Sequence, residues 1–184
     1  SIFQEQGEAL FTHFGLSGPL VLSASAHLGD LAKHRYEVGF DLKPALSHEQ
    51  LYARLNRDLT ALANRDAANC LVKLLPASMQ PVMVERWGVD PAKKANQLTK
   101  EERLALVDLM KDFRIRIRDR GDLEHAVITS GGVAVKEVDP RTMASKKCPG
   151  LYFAGEVLDV DAYTGGYNLQ IAWCTAQAAA RGLA

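Results

Sequence analysis

From Pro44 to Asp112 the chain is written as a series of short helices with strand-like alternation on either side, and this block limits the fold more than any other feature. Ser47-His48-Glu49-Gln50 has the spacing of a capping box, in which a hydroxyl accepts from the N–H three residues on and the Gln side chain reaches back. Leu51, Leu55, Leu59 and Leu62 then recur at near-helical spacing. The pattern predicts a second helix over Ala67 to Leu75, stopped by Pro76, and a third over Met79 to Trp87, ended by Gly88. Thr99-Lys100-Glu101-Glu102 is another capping box, backed by Leu104, Val107, Leu109 and Met110. Short helices with brief connections suggest a compact helical subdomain, with Met79, Met83 and Met110 at core spacings.

The flanks read differently. Gly7 to Thr12 reads as a short strand entering the turn Gly15-Leu16-Ser17-Gly18-Pro19. Pro19 suits a first helical turn and Ser17 its cap, with Leu20, Val21, Ala24 and Leu28 on one face before Gly29-Asp30. Arg35 to Leu42 alternates with period two, as does Phe113 to Arg118, so both are expected as half-buried strands. Ala126 to Thr129 is a further strand candidate, and Leu151 to Gly155 reads as a buried strand of an α/β sheet. A helix from Leu169 to Arg181 is rich in small residues, Ala172, Ala176, Ala179 and Ala180 among them, which would let it lie close on a sheet.

Composition excludes several classes. The 184 residues carry 22 Lys and Arg against 22 Asp and Glu, with 47% apolar and 24% charged residues, the balance of a folded domain and not of a disordered, collagen-like or supercharged chain. No apolar run approaches the roughly 18 residues of a membrane span, so no membrane partner is expected. Ser1 is not an initiator Met and no signal-peptide pattern follows it; the chain reads as a piece beginning inside a longer protein. Cys70, Cys148 and Cys174 form no C-x-x-C pair and the histidines never pair at i, i+4, so no disulfide framework or metal site is expected and a reducing cytoplasm fits.

The strongest chemical signal runs from Gly150 to Gln170. An apolar run ends at Ala154-Gly155, Glu156 follows, and Gly165-Gly166 opens a helix. Ligands of α/β sheets sit at the carboxyl ends of strands, and a helix N-terminus offers unpaired N–H groups and partial positive charge. This predicts a polar or anionic ligand atom near Gly166 to Asn168, with Glu156 accepting from ligand hydroxyls. A plain strand–turn–helix unit, with glycines serving turn geometry, accounts for the same pattern.

Gly7 to Pro19 resembles a hallmark stretch of the BaiN/RdsA-type NAD(P)/FAD-dependent oxidoreductases, some of which are described as aminoacetone oxidase-like. Thr129 to Val133, Lys136 to Met143, Pro149 to Asp159 and Tyr163 to Gln170 are similar to further motifs of that family, in order along the chain. Ala144 stands where the pattern has an acid. The resemblance implies an α+β architecture: an insert domain with a β-rich, barrel-like part (1–43), a helical subdomain (44–112) and returning strands (113–127), then the C-terminal part of an FAD-binding domain (128–184). It implies a bacterial enzyme that transfers electrons between NADH or NADPH and an unidentified small molecule through FAD. The G-x-G-x-x-G half that holds the FAD pyrophosphate would lie upstream, since these residues contain no such fingerprint, and the piece alone would be inactive.

By the same likeness, Ser130, Gly131 and Gly132 line the flavin, Gly155 and Glu156 face its ribityl–phosphate portion, and Gly165, Gly166, Tyr167 and Asn168 lie by the pyrimidine edge of the ring. Asp159 and Asp161 read as loop caps rather than proton-transfer groups. Two other classes compete. Arg114, Arg116, Arg118 and Arg120 make a basic stripe that would suit a nucleic-acid-binding module, although a neutral chain favours a solvated strand face. Exposed Trp87 and Trp173 would suit a protein-binding module, although Trp is more often packed; Cys174 is expected as a buried, inert thiol.

Overall fold

The computed structural model describes residues 1–183, without the side chain of His125. In chain order the elements are β1 (Leu10–Phe11), β2 (Leu16–Ser17), α1 (Pro19–Ser25), β3 (Tyr36–Phe40), α2 (His48–Ala61), α3 (Gln80–Trp87), α4 (Lys100–Lys111), β4 (Phe113–Ile117) and α5 (Tyr167–Leu183). They fall into two units, Tyr36–Ile117 and the remainder, Ser1–Arg35 with Arg118–Ala184.

The first unit holds most of the core. Both capping boxes form: the Gln50 N–H donates to Ser47 Oγ at 3.2 Å and the Ser47 N–H to Gln50 Oε1 at 2.9 Å, with Thr99 and Glu102 doing the same at the head of α4. The caps satisfy N–H groups that the first helical turn leaves open. Leu51, Leu55 and Leu59 of α2 then pack with Met83, Val84 and Trp87 of α3, Leu106, Val107 and Met110 of α4, and Phe113 of β4. The Trp87 indole N–H donates to the Glu102 carbonyl at 2.7 Å, so its polar edge is satisfied where the ring is buried. β3 and β4 pair antiparallel, Tyr36 opposite Ile117 and Phe40 opposite Phe113, and turn Glu37, Arg114 and Arg116 outward.

The expected helix over Ala67 to Leu75 is instead a single 3-10 turn, Ala67–Asn69. The Ala67 and Ala68 N–H groups, which a first turn leaves open, donate to the Lys93 and Pro91 carbonyls at 2.8 and 3.1 Å, and the Asn69, Cys70 and Leu74 N–H groups close three-residue turns onto Asp66, Ala67 and Leu71 instead of a continuous helical ladder. Leu71, Leu74 and Leu75 are buried all the same. Burial also pushes the Cys70 thiol up, and its S–H donates to the Asp66 carbonyl, which makes it a packing residue.

The second unit is sparsely packed. β1 and β2 form a two-stranded sheet with Leu10 opposite Ser17. Ser17 is thereby committed to the sheet, and Gly18, not Ser17, precedes α1 without a side-chain cap. The helix stops at Ser25, short of Leu28, because His27 and Leu28 turn back to the Ala24 and Ser25 carbonyls. Neither Ala126 to Thr129 nor Leu151 to Gly155 is a strand: Tyr152 makes one bridge, to Ala144, Leu151 is exposed, and no neighbouring strand offers either segment a ladder among the described residues. The described strands make two separate two-stranded sheets and close no barrel.

Val138, Met143 and Leu158 are the buried apolar residues of this unit, joined by Val133, Phe153, Ala178 and Ala179. α5 lays Ala172, Thr175, Ala178 and Ala179 along its packed side and leaves Leu169, Trp173 and Leu183 exposed. Among the described residues all the large exposed apolar side chains but two, Val72 and Val82, belong to this second unit. Among the described residues no helix is long and apolar enough to cross a membrane.

Candidate functional site

Three glycine-containing segments of the second unit are tied to one another and to α5. The first two meet at a parallel bridge between Val133 and Leu158: the Val133 N–H donates to the Val157 carbonyl at 2.8 Å and the Asp159 N–H to the Val133 carbonyl at 2.9 Å. Gly132 makes the approach possible. Its φ is +146°, and a Cβ there would stand 2.5 Å from the Val157 carbonyl oxygen. Ser130 Oγ reaches Asp161 Oδ1 at 3.4 Å, linking the first segment to the loop before α5. Gly155 begins a short 3-10 turn and donates its N–H to Thr175 Oγ1, on the third turn of α5, at 3.0 Å.

The loop before α5 is closed by Asn168. Its Oδ1 accepts from the Ala162 N–H at 2.8 Å and its Nδ2 donates to the Ala162 carbonyl at 2.7 Å. The amide is therefore spent on positioning the loop. The Gly166 carbonyl accepts the first helical bond, from the Gln170 N–H at 3.0 Å. The N–H groups of Gly166, Tyr167 and Leu169 find no partner among the described residues, and the space beside Gly166, at φ +87°, is open. A 17-residue helix thus presents free donors and the positive end of its dipole beside an uncluttered backbone. Such a cradle suits a carbonyl or anionic edge of a flat ligand. Tyr167 is exposed, its ring lying close over Gly165, and Glu156 is exposed with no partner among the described residues.

Every residue expected to line the ligand lies in this unit, and those on Ser130 to Gly132, Gly155 and Asn168 are joined by the bonds above. Sequence reasoning missed three partners. Thr175 was signalled only as a hydroxyl in an alanine-rich helix. Phe3 and His27, far away in sequence, meet Tyr163: His27 Nε2 lies 2.6 Å from the Tyr163 hydroxyl, and the Phe3 ring stacks on the imidazole with centroids 4.9 Å apart.

Two expectations about the helix fail. Trp173 is 74% exposed, on the side of α5 away from Ala178 and Ala179, and Cys174 is exposed one turn before Ala178, its sulfur accepting from Gln170 Nε2 at 3.1 Å. Trp87, by contrast, is buried. The arginine stripe is partly consumed. Arg114 pairs with Asp112 at 2.7 Å and Glu37 at 3.6 Å, and Arg120 donates to the Leu28 and Gly29 carbonyls.

A family model described as the HI0933-like protein barrel and H2TH domain matches residues 1–128. The chain is 36% identical over 185 residues to a ribosomal RNA dihydrouridine synthase of Escherichia coli, covering all of this chain and 43% of that protein. It is 34% identical over 173 residues to a ribosomal RNA dihydrouridine synthase of Haemophilus influenzae, covering 94% of this chain and 41% of that protein. It is 31% identical over 186 residues to a 3-dehydro-bile acid delta(4,6)-reductase of Clostridium scindens, covering 98% of this chain and 45% of that protein. The chain spans less than half the length of each of these relatives.

Proposed function

The chain belongs to the HI0933-like flavoprotein family, and on that premise we propose that it forms the flavin-edge part of a reductase acting on a carbon–carbon double bond conjugated to a carbonyl. The names of the relatives, a dihydrouridine synthase and a delta(4,6)-reductase, share that transformation in chemical terms: two hydrogens are added across such a bond. The observation that carries the reading is that Ser130 to Val133, Gly155 to Asp159 and the loop from Ala162 to Asn168 are bonded to one another or to α5, whose first N–H groups are free among the described residues.

FAD, when bound, would take a hydride from NADH or NADPH and pass it on. The roles of this chain's residues follow from their chemistry. The free N–H groups of Gly166, Tyr167 and Leu169 stabilise negative charge at the pyrimidine edge of the ring. Gly131, with nothing within 4 Å of its Cβ position, lets backbone approach the ring without a side chain between; Gly132 holds that segment against Val157, and Asn168 holds the loop in register. Glu156 accepts from ribityl hydroxyls. The apolar surface of the second unit, Leu169, Trp173 and Leu183 included, is the seat of the nucleotide-binding half of the same protein. That half would carry the fingerprint these residues lack.

The test is turnover by the full-length enzyme. With NADH or NADPH and cyclohexenone, a simple conjugated ketone, the saturated ketone is the expected product, identified by mass spectrometry. Oxidation of the nicotinamide with no saturated product would refute the assignment.

A further inference from the structure

Addition of two hydrogens to a conjugated carbonyl needs a proton as well as a hydride, and the loop before α5 carries a tyrosine whose hydroxyl is held and partly exposed. We propose that Tyr163 is the proton donor and that His27 is its positioning residue; this rests on the reductase reading above. Tyr163 is fixed from several directions. Its N-terminal neighbour, Ala162, is clamped through both backbone groups by Asn168. Its hydroxyl is 2.6 Å from His27 Nε2. Its ring meets Phe3 edge-on at 6.4 Å, and Phe3 in turn backs the imidazole. An exposed tyrosine ordinarily leaves its hydroxyl to water and its rotamer free. Here a side chain still 47% exposed is held by a residue 136 positions away, and it stands just before the Gly165-Gly166 pair.

Ser130 and Asn168 of the cradle are already engaged, and Glu156, which has no partner among the described residues, is assigned above to the ribityl hydroxyls. Ser130 is turned to Asp161, and both ends of the Asn168 amide are on Ala162. Tyr167 carries a hydroxyl that nothing orients among the described residues. In the tautomer that carries its proton on Nε2, His27 donates to the Tyr163 oxygen, and the Tyr163 O–H is then left for a bound substrate. The step balances. The β-carbon of the substrate receives the hydride that came from NADH or NADPH, and the electron pair of the double bond forms the new C–H bond at the α-carbon with the proton from Tyr163. The C=C π bond, the Tyr163 O–H bond and the C4–H bond of the nicotinamide break, and NADH or NADPH is oxidised by two electrons as the double bond is reduced. The phenolate left behind is stabilised by the His27 N–H and regains its proton from water.

The test separates this claim from the reading beneath it. In the full-length, flavin-loaded enzyme, Tyr163→Phe is expected to leave flavin content and the rate of flavin reduction by NADH or NADPH unchanged. It should slow re-oxidation by cyclohexenone on the order of a hundredfold, the usual size of a general-acid contribution. His27→Gln should slow the same half-reaction less. A readout independent of turnover is the imidazole N–H resonance of His27, expected downfield in the resting protein and lost or shifted in Tyr163→Phe. Equal re-oxidation rates in wild type and Tyr163→Phe would overturn the proton-donor assignment while leaving the reductase reading intact. Failure of the wild type to pass electrons from reduced flavin to cyclohexenone would overturn the reductase reading, and this inference with it.

Discussion

Gly132→Ala is expected to pull apart the bridge that brings the first two site segments together. The new Cβ would stand 2.5 Å from the Val157 carbonyl oxygen, 3.0 Å from the Leu158 carbonyl carbon and 3.1 Å from the Asp159 nitrogen, and all three are backbone atoms that cannot swing aside. Relief requires separating Val133 from Val157 and Asp159, which breaks the two bonds between them. Each is worth about 0.5–1.5 kcal/mol net. The backbone at φ +146° adds strain of about 1–3 kcal/mol for a residue with a Cβ. Gly131→Ala is the matched comparison: its φ of +107° brings similar strain, but no atom lies within 4 Å of its added Cβ. The difference between the two variants is therefore the two hydrogen bonds, about 1–3 kcal/mol. Hydrogen exchange at the Val133 and Asp159 amides of the full-length enzyme reads it directly, as about 5- to 150-fold less protection in Gly132→Ala than in Gly131→Ala. Equal protection in both would refute the close-approach argument.

Other outcomes follow from the same coordinates. Gly166→Leu puts a side chain into the open space beside the α5 donors, so flavin content of the purified full-length enzyme should fall; unchanged content would argue against ligand placement at that edge. Leu55→Ala removes a fully buried side chain between α2 and its neighbours, and should cost about 2–5 kcal/mol in urea denaturation followed by Trp87 fluorescence. The Lys93 ammonium and then the Thr99 N–H hold the Glu102 carboxyl below its ordinary value. That stabilisation is complete above the unfolded carboxyl pKa and is lost as pH falls through the lowered folded one. Glu102→Gln should therefore flatten the acid side of the stability profile, and an unchanged profile would sink the assignment.

Local signals were legible and tertiary ones were not. Ser47 and Thr99 cap their helices as their spacing foretold, because a capping box is closed within four residues. Alternation at Tyr36 to Phe40 and Phe113 to Ile117 found its register because each strand is the other's partner. Ala67 to Leu75 misled because its apolar spacing reports burial, while its backbone closes separate short turns, Cys70 onto Ala67 and Leu74 onto Leu71, under the segment that carries Pro91 and Lys93. Leu151 to Gly155 has the composition of a buried strand but pairs only at Tyr152, since a ladder needs a neighbour that its own sequence cannot reveal. In the candidate site, the glycines announced themselves. Gly132's close approach depends on Val157, and the His27–Tyr163 contact on two residues 136 positions apart, and no local pattern encodes either. Trp173 is exposed because α5 packs only its small-residue side.

The central claim is that this chain supplies the flavin edge and a companion half supplies the nucleotide grip. Flavin content tests it most directly. The full-length enzyme and this chain alone are purified, denatured, and the released nucleotide identified. The account predicts FAD near one per polypeptide from the full-length enzyme and none from this chain. Absence of flavin from both would contradict the cofactor assignment, and FAD held by this chain alone would contradict the division of labour between the halves.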